Sequence, residues 1–390
     1  MTGSTRILAV SHDAGRQGAP IVLLQLLQWL RKRGAVDFDV VLGVDGPLRT
    51  QFEGLARTVV FDPFPTAWKG LRGLFRMFPP TMRHSILEKR LRAALRGRRY
   101  DLIYSNTVAN EELLQALGWL NCRSVVHVHE LEYAIRRVGP KSKPLREMGD
   151  HFIAVSGAVR DNLLARHAIP ADRISVVHEA LPSGGVPGIE SPPRAKGAPA
   201  VIACCGVGEP RKGIDLLPRL AGELASACAD RSFLIRWIGR VESEWRDLLH
   251  LDLERLDLAD RVEFLGELTD PRAAMAGANV FVLLSREDPF PLVCLEAAQC
   301  GLPIVCFAGS GGAPELVEED AGRVVPYLDV GAMAAAVAEI VGDREVCARL
   351  GQKAQEKVMR LYSVERQASK ILELVDGLIS VDGPKSAATE

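Results

Sequence analysis

At 390 residues, of which 47% are hydrophobic and 25% charged, the chain is too long for one ordinary domain. It has apolar residues enough for two cores of roughly 150–200 residues each. No apolar run reaches the ~18 residues of a membrane span, and the N-terminus carries no signal-peptide pattern, so a cytoplasmic protein is expected. The net charge of −1 hides a division: residues 1–190 hold 26 Lys+Arg against 18 Asp+Glu, and the remainder 22 against 31. A basic N-terminal half predicts attraction to something anionic, such as the inner face of a cell membrane. The eight cysteines (122, 204, 205, 228, 294, 300, 306 and 347) form no Cys-x-x-Cys pair and no Cys/His cluster. Buried free thiols are expected rather than disulfides or a structural zinc.

In chain order, short β-branched runs at 6–10, 38–43, 58–61, 101–104, 124–129, 151–155 and 174–177 alternate with helical patterns, which predicts a parallel α/β layer. The first strand leads through Ser11-His12-Asp13-Ala14-Gly15-Arg16-Gln17-Gly18-Ala19-Pro20 into a helix over 21–31. Glycines there permit close backbone approach to a ligand, and a helix N-terminus suits a phosphate. Between Lys69 and Arg99 stand ten Lys/Arg and one acid, Glu88, with Leu71, Leu74, Phe75, Phe78 and then Ile86, Leu87, Leu91, Ala94, Leu95 at helical spacing. Two readings of 69–99 are open. It lies on an anionic bilayer, each cation contributing ~1 kcal/mol, or it packs on the N-terminal core with a solvated basic face. Nucleic acid is not an expected partner, because no aromatic stacking residues are interleaved in a recognisable module. In the fifth strand His127 and His129 share a face. His129 stands at the C-terminal end, where such folds open to ligand, and His127 is expected in the core. No third ligand for zinc accompanies them.

Ser, Gly and Pro dominate 183–199, which reads as a linker. Strands follow at 200–205, 233–238, 262–265, 280–283, 303–306 and 323–325. Gly206-Val207-Gly208-Glu209-Pro210-Arg211-Lys212-Gly213 follows the first of these. Its spacing matches neither the dinucleotide fingerprint nor the P-loop, but the Arg211-Lys212 pair can stabilise charge building on a departing diphosphate. In Arg286-Glu287-Asp288-Pro289-Phe290-Pro291-Leu292-Val293-Cys294-Leu295-Glu296 the prolines suit the turn before a helix, which begins near Leu292 and stops at Gly301. Its unpaired N–H groups and dipole favour a phosphate. Asp288 lies at the helix mouth and Glu296 about a turn inside, so a phosphate socket flanked by two carboxylates suits a nucleotide sugar. In 362–380 apolar Val364, Ala368, Ile371, Leu372, Val375 and Leu378 mark an amphipathic helix, and 381–390 reads as a disordered tail.

The run from Asp288 to Glu296 resembles the acidic donor-site motif (Glu, seven residues, Glu) of retaining glycosyltransferases, especially family four, with Asp288 in the first position. The 206–213 loop resembles that family's donor loop, an Arg, four or five residues, then Lys-Gly. Lys212-Gly213 match its end, while Val207 stands where the Arg is usual. Arg211 or Arg240, which follows Gly239, stands in for it, and Arg211 is preferred. Residues 261–267 are similar to the strand and turn that hold the nucleobase through backbone contacts, here at Leu265 and Gly266. Residues 309–315 resemble the family's glycine turn.

The likeness extends from about residue 7 to 379 and implies two Rossmann-like, doubly wound α/β domains facing each other across a cleft, the B-type glycosyltransferase fold. They would comprise 1–183 and 200–361, joined by 184–199, with helix 362–380 crossing back to the first. It implies retaining transfer of a sugar from a nucleotide-diphosphate sugar to a hydroxyl of a glycan or lipid-linked acceptor. Arg211 and Lys212 would meet the diphosphate with Gly206, Gly208, Gly239 and Arg240, at the helix mouth formed by Pro289, Phe290, Pro291 and Leu292. Glu296 would accept from ribose and Asp288 from sugar hydroxyls. Gly18 and the family's functional histidine, here His129, would come from the N-terminal domain. The departing phosphate oxygen would take the acceptor's proton, so no glycosidase-type carboxylate pair is required. No cofactor or metal is implied. Two alternatives stay open: a nucleotide-sugar epimerase of the same fold, and a non-catalytic sugar-nucleotide-binding protein.

Overall fold

The computed structural model describes residues 5–16, 18–34, 36–60, 79–182, 198–228 and 232–380. The chain divides into two compact units, one of Met1–His178 with Val364–Glu390 and one of Glu179–Ser363. All thirteen predicted strands are present, with ends shifted by no more than one residue. The expected linker lies outside the described residues except for its last two, and the expected tail lies wholly outside them.

The first unit holds a seven-stranded parallel sheet in the order β3-β2-β1-β4-β5-β6-β7. Its strands are β1 Arg6–Ser11, β2 Asp37–Leu42, β3 Thr58–Val60, β4 Leu102–Ser105, β5 Arg123–Val128, β6 His151–Ala154 and β7 Ile174–Val176. The central strands β1, β4, β5 and β6 are buried on both faces over most of their length because helices cover both faces of a parallel sheet. On one face the helix Gly18–Arg33 buries Leu23, Leu27 and Leu30 over Ile7, Ala9 and Leu102. The helix Val364–Ser380 joins the same cluster through Ala368, Ile371 and Val375. On the other face the helix Pro80–Ala94 brings Leu87 and Leu91, followed by Leu95, against Leu8, Val10, Val41 and Ile103.

That placement decides the reading of the basic segment where it is described. The apolar stripe of 79–99 faces the sheet and is not available to a bilayer, while 69–78 lies outside the described residues. The cations of this helix sit on the outer side. Arg92 stacks on Trp119 at 4.6 Å and pairs with Glu88 at 2.7 Å, and Arg83 pairs with Glu112 at 3.3 Å.

The second unit holds a six-stranded parallel sheet in the order β10-β9-β8-β11-β12-β13. Its strands are β8 Ala200–Cys205, β9 Phe233–Ile238, β10 Val262–Gly266, β11 Val280–Leu283, β12 Ile304–Phe307 and β13 Gly322–Val325. The core packs Leu217, Leu220 and Leu224 with Trp237, Phe307 and Met333. In each unit the order of strands reverses beside the first strand, and there the loops at the C-terminal ends diverge to leave a crevice. The switch lies at β1/β4 in one sheet and β8/β11 in the other. All eight cysteines are free thiols. Burial pushes Cys205 and Cys306 up to about 12 and Cys300 to about 11. No helix among the described residues is long and apolar enough to cross a membrane.

Leu91 is fully buried on its helix, so Leu91→Ala should lower stability by about 2–5 kcal/mol. Exposed Lys89→Ala should change it by less than about 0.5 kcal/mol. Guanidinium denaturation followed by tryptophan fluorescence reads both, and equal effects would remove this helix from the core.

Candidate active site

Four neighbouring strands of the second unit, in the order β10-β9-β8-β11, end side by side, and the residues that follow them are stitched through the backbone. Trp237 donates from Nε1 to the Gly206 carbonyl at 3.0 Å. Gly208 N donates to Arg240 O at 2.7 Å, and Gly239 N to Gly266 O at 2.8 Å. Gly239 has φ +135° and a Cβ on it would collide with the Gly206 carbonyl. Gly213 has φ +79° and a Cβ there would collide with the Leu284 carbonyl. Only glycine fits both places. Gly206, Gly208, Gly239 and Gly266 thus form one layer of close-packed backbone.

The 206–213 loop and the 284–291 loop are then laced by side chains. Lys212 runs its methylenes past Gly206 and sets its Nζ 2.5 Å from Asp288 Oδ2, to which Ser285 Oγ also donates at 3.3 Å. The backbone of Asp288 is held from both sides, its N donating to Ser310 O at 2.7 Å and its O accepting from Gly312 N at 3.1 Å. Arg211 binds Glu209 Oε1 at 2.8 Å and the Glu287 carbonyl at 3.0 Å. Arg286 returns the link, with both carboxylate oxygens of Asp215 at 2.7 and 2.8 Å and the Pro210 carbonyl at 2.5 Å.

Asp288 and Arg211, both expected to meet the donor, are engaged within the two loops. Asp288, expected to reach for sugar hydroxyls, is 5% exposed and engaged with Lys212. A side chain one methylene shorter than Glu keeps its carboxylate back at the ammonium. Arg211, expected to replace the missing arginine at Val207, has its guanidinium fixed between loops, whereas that of Arg240 is exposed beside Gly208, 3.3 Å from Glu242. Val207 itself is 49% exposed.

The helix Leu292–Gln299 starts after Pro291 with no side-chain cap; Cys294 N donates to Pro291 O at 3.0 Å, which leaves the N–H groups of Leu292 and Val293 for an anion. Of the residues expected at its mouth, Phe290 is a correction. Its ring is buried against Tyr362, centroids 5.3 Å apart, and only its backbone borders the loop. Pro291 is buried, and Pro289 and Leu292 are partly so. Glu296 sits one turn inside. Burial raises its carboxyl to about 7, with nearby Arg272 opposing and Asp270 adding to the rise. Those two bind each other bidentately at 2.8 Å. Leu265 is exposed at the end of β10 and Gly266 turns away with φ +71°. Among the described residues no group of three or more His, Cys, Asp or Glu could hold a metal ion.

In the first unit His129 follows β5 half-buried, its Nε2 3.3 Å from Asn106 Oδ1. His127 is 2% exposed, with Nδ1 2.6 Å from the Tyr104 hydroxyl, and burial holds its pKa well below the ordinary value. Glu130, also buried, accepts from His129 N at 2.9 Å and from the Thr107 hydroxyl, and burial raises its pKa. Gly18 opens the helix Gly18–Arg33, and a Cβ there would meet nothing within 4 Å. Arg286, Asp215, Ser285, Asn106 and Glu130 escaped sequence reasoning. Each acts through a partner distant in sequence or through a side chain with no motif.

Two family models match the chain: "Glycosyl transferases group 1" over residues 189–357 and "Glycosyltransferase Family 4" over residues 16–181. A GDP-mannose-dependent monoacylated alpha-(1-6)-phosphatidylinositol monomannoside mannosyltransferase of Corynebacterium glutamicum is 31% identical over 45% of this chain and 46% of its own length. The lipopolysaccharide core biosynthesis mannosyltransferase LpcC of Rhizobium leguminosarum is 27% identical over 80% of this chain and 83% of its own. In fold, the structure of Anabaena HepE in complex with UDP and glucose superposes with a TM-score of 0.73 at 21% identity, covering 95% of this chain and 99% of that one. A glycosyltransferase from Rickettsia africae gives 0.75 at 14% identity over 97% and 100%. With a model matched to each half and neighbours that share both Rossmann-like units, the chain belongs to the group 1, family 4 glycosyltransferases of the B-type fold.

Proposed function

We propose that the protein is a retaining glycosyltransferase that moves a sugar from a nucleotide-diphosphate sugar to a hydroxyl of a lipid-linked or cell-surface glycan. One observation carries this reading: an uncapped helix N-terminus and the Lys212 ammonium meet at a glycine layer, with a carboxyl one turn inside the helix. The diphosphate binds Lys212, the exposed guanidinium of Arg240 and the first N–H groups of the helix Leu292–Gln299. Glu296 accepts from the ribose hydroxyls. A diphosphate that claims Lys212 releases the Asp288 carboxylate to accept from the sugar. As the bond from the sugar's anomeric carbon to the diphosphate breaks, the acceptor oxygen bonds to the same face, and its proton passes to the departing phosphate oxygen. His129 takes a hydrogen bond from a substrate hydroxyl. Lys212 and Arg240 supply the positive charge, so neither a metal nor a cofactor is part of the proposal. The relatives named for phosphatidylinositol mannosides and lipopolysaccharide support a lipid-linked acceptor, as does the cationic N-terminal half. A cytoplasmic enzyme working beside an anionic membrane follows from that acceptor.

A thermal-shift screen against UDP, GDP, ADP, dTDP and CMP, with and without magnesium, tests the donor site. One selective, metal-independent shift is expected, equivalent to about 2.7 kcal/mol at a hundredfold excess over Kd. No shift with any nucleotide would sink the reading.

Lys212→Ala should cut turnover about 10²–10³-fold. It should also cost about 3–5 kcal/mol of stability by leaving the buried Asp288 carboxylate without a counter-charge. Adding Asp288→Asn should restore stability but not turnover; if both return, Lys212 is structural only.

Glu296 titrates near 7 in the fold against 4.5 when unperturbed. Its contribution to stability is therefore full below pH 4.5 and is lost as pH rises through about 7. Ribose hydroxyls donate to the ionised form, so nucleotide affinity should fall up to about tenfold per pH unit below 7. Calorimetry on the protein and on Glu296→Gln separates this from ionisation of the phosphate: the variant should lose that part of the slope.

A further inference from the structure

Among the described residues the Glu296 carboxyl takes no hydrogen bond and no ion pair; it is acted on by burial and by the charges of Arg272 and Asp270. Arg272 opens the short helix Arg272–Met275. That helix meets the face of Leu292–Gln299 that carries Glu296. Cys300, four residues on and so one turn along the same face, donates from Sγ to the Arg272 carbonyl at 3.8 Å. An arginine free at that place would clamp the carboxylate with two parallel N–H bonds. It does not, because Asp270 holds it first. Asp270 Oδ1 accepts from Arg272 Nε at 2.8 Å and from Arg272 N at 3.0 Å, and Oδ2 accepts from Nη2 at 2.8 Å. The pair closes across a single residue, Pro271, whose ring fixes its own φ.

The arrangement acts on Glu296 in two ways. The cation stays near enough to oppose the rise that burial imposes, so the carboxyl is raised only to about 7. It is also kept from covering the carboxylate oxygens. Those oxygens have lone pairs for several donors, and a bound guanidinium would take the places that two neighbouring hydroxyls need. We infer that Asp270 is a positioning residue for donor binding: it occupies the Arg272 guanidinium and so leaves the Glu296 carboxylate open to the paired hydroxyls of a ribose. The ribose rests on the proposed function; the sequestering of Arg272 does not. Without the Asp270 charge, Arg272 would turn to Glu296 and the ribose would have to displace it. The other titratable groups that act with Glu296 are the thiols of Cys205 and Cys300, which burial keeps neutral by raising them to about 12 and about 11.

Two measurements on the full-length protein test this. 13C NMR of labelled glutamate side chains gives the titration midpoint of Glu296, its signal assigned by loss in Glu296→Gln. Calorimetry with UDP, GDP and ADP above pH 8, where Glu296 is ionised, gives nucleotide Kd. Asp270→Asn keeps an acceptor for Arg272 N. In it the midpoint should fall from about 7 to below about 6, and Kd should weaken about 10-fold. In Arg272→Gln the midpoint should rise while Kd stays at the wild-type value. The double variant should bind as tightly as wild type, which a merely distorted loop would not allow. An unchanged Kd in Asp270→Asn, or a midpoint there above about 6, would overturn the inference. So would weakened binding in Arg272→Gln or in the double variant, since Arg272 or its loop would then serve the nucleotide directly. If none of the three nucleotides binds the wild-type protein, the donor-site reading fails instead, and the midpoints still decide whether Asp270 restrains Arg272.

Discussion

The ion pair between Lys212 and Asp288 is made where two parallel strands stop. β8 and β11 are hydrogen-bonded neighbours, yet Lys212 and Asp288 are 76 residues apart in sequence. A buried pair of this kind is weak evidence for stability, because removing two charges from water costs nearly all that their attraction returns. What it secures is position. One cation and one anion that must neutralise each other hold two loops in register at the mouth of an uncapped helix. The arginines repeat the arrangement in reciprocal form, Arg211 reaching the backbone of one loop and Arg286 that of the other.

The pair can exist only because the backbones beneath it approach closely. Gly213 against the Leu284 carbonyl and Gly239 against the Gly206 carbonyl are contacts that no side chain tolerates. With those approaches made, Lys212 passes over Gly206 and its ammonium reaches a carboxylate that is nearly enclosed. The low dielectric that makes an unpaired charge costly there also makes the site responsive. Burial has raised Glu296 to about 7, so hydrogen bonds from a ligand can change its charge at neutral pH.

Much of this could be read from the chain. Thirteen strands are legible to within a residue because short runs rich in β-branched and aromatic residues alternate with helical patterns. Lys212, Glu296, Gly206 and Gly208 stood out because spacing along one loop or helix is local information. What local pattern leaves open shares a cause. Phe290 has a place in the motif, but its ring goes to Tyr362, a residue 72 positions later whose nearness no local pattern announces. Between Arg211 and Arg240 no local pattern decides, and the sheet order that sets β9, which Arg240 follows, directly beside β8 is not written in either loop. Helical spacing in 79–99 was correct and still left its destination open, since a sheet and a bilayer accept the same apolar stripe.

Both units use one structural opportunity, with different chemistry. At the C-terminal ends of parallel strands the ladder stops, and backbone groups must be satisfied by turns, side chains or ligand. In the second sheet the answer is mostly cationic and backbone: ammonium, guanidinium, helix N–H groups and glycines, a set that favours phosphate. In the first it is side-chain based: Asn106, Thr107, the Tyr104–His127 pair, and a buried Glu130 that accepts from the Thr107 hydroxyl and from His129 N. A surface built from amide, hydroxyl and imidazole discriminates hydroxyls by direction rather than by charge. The two strand-end clusters therefore differ in chemistry, one suited to an anionic group and the other to hydroxyls.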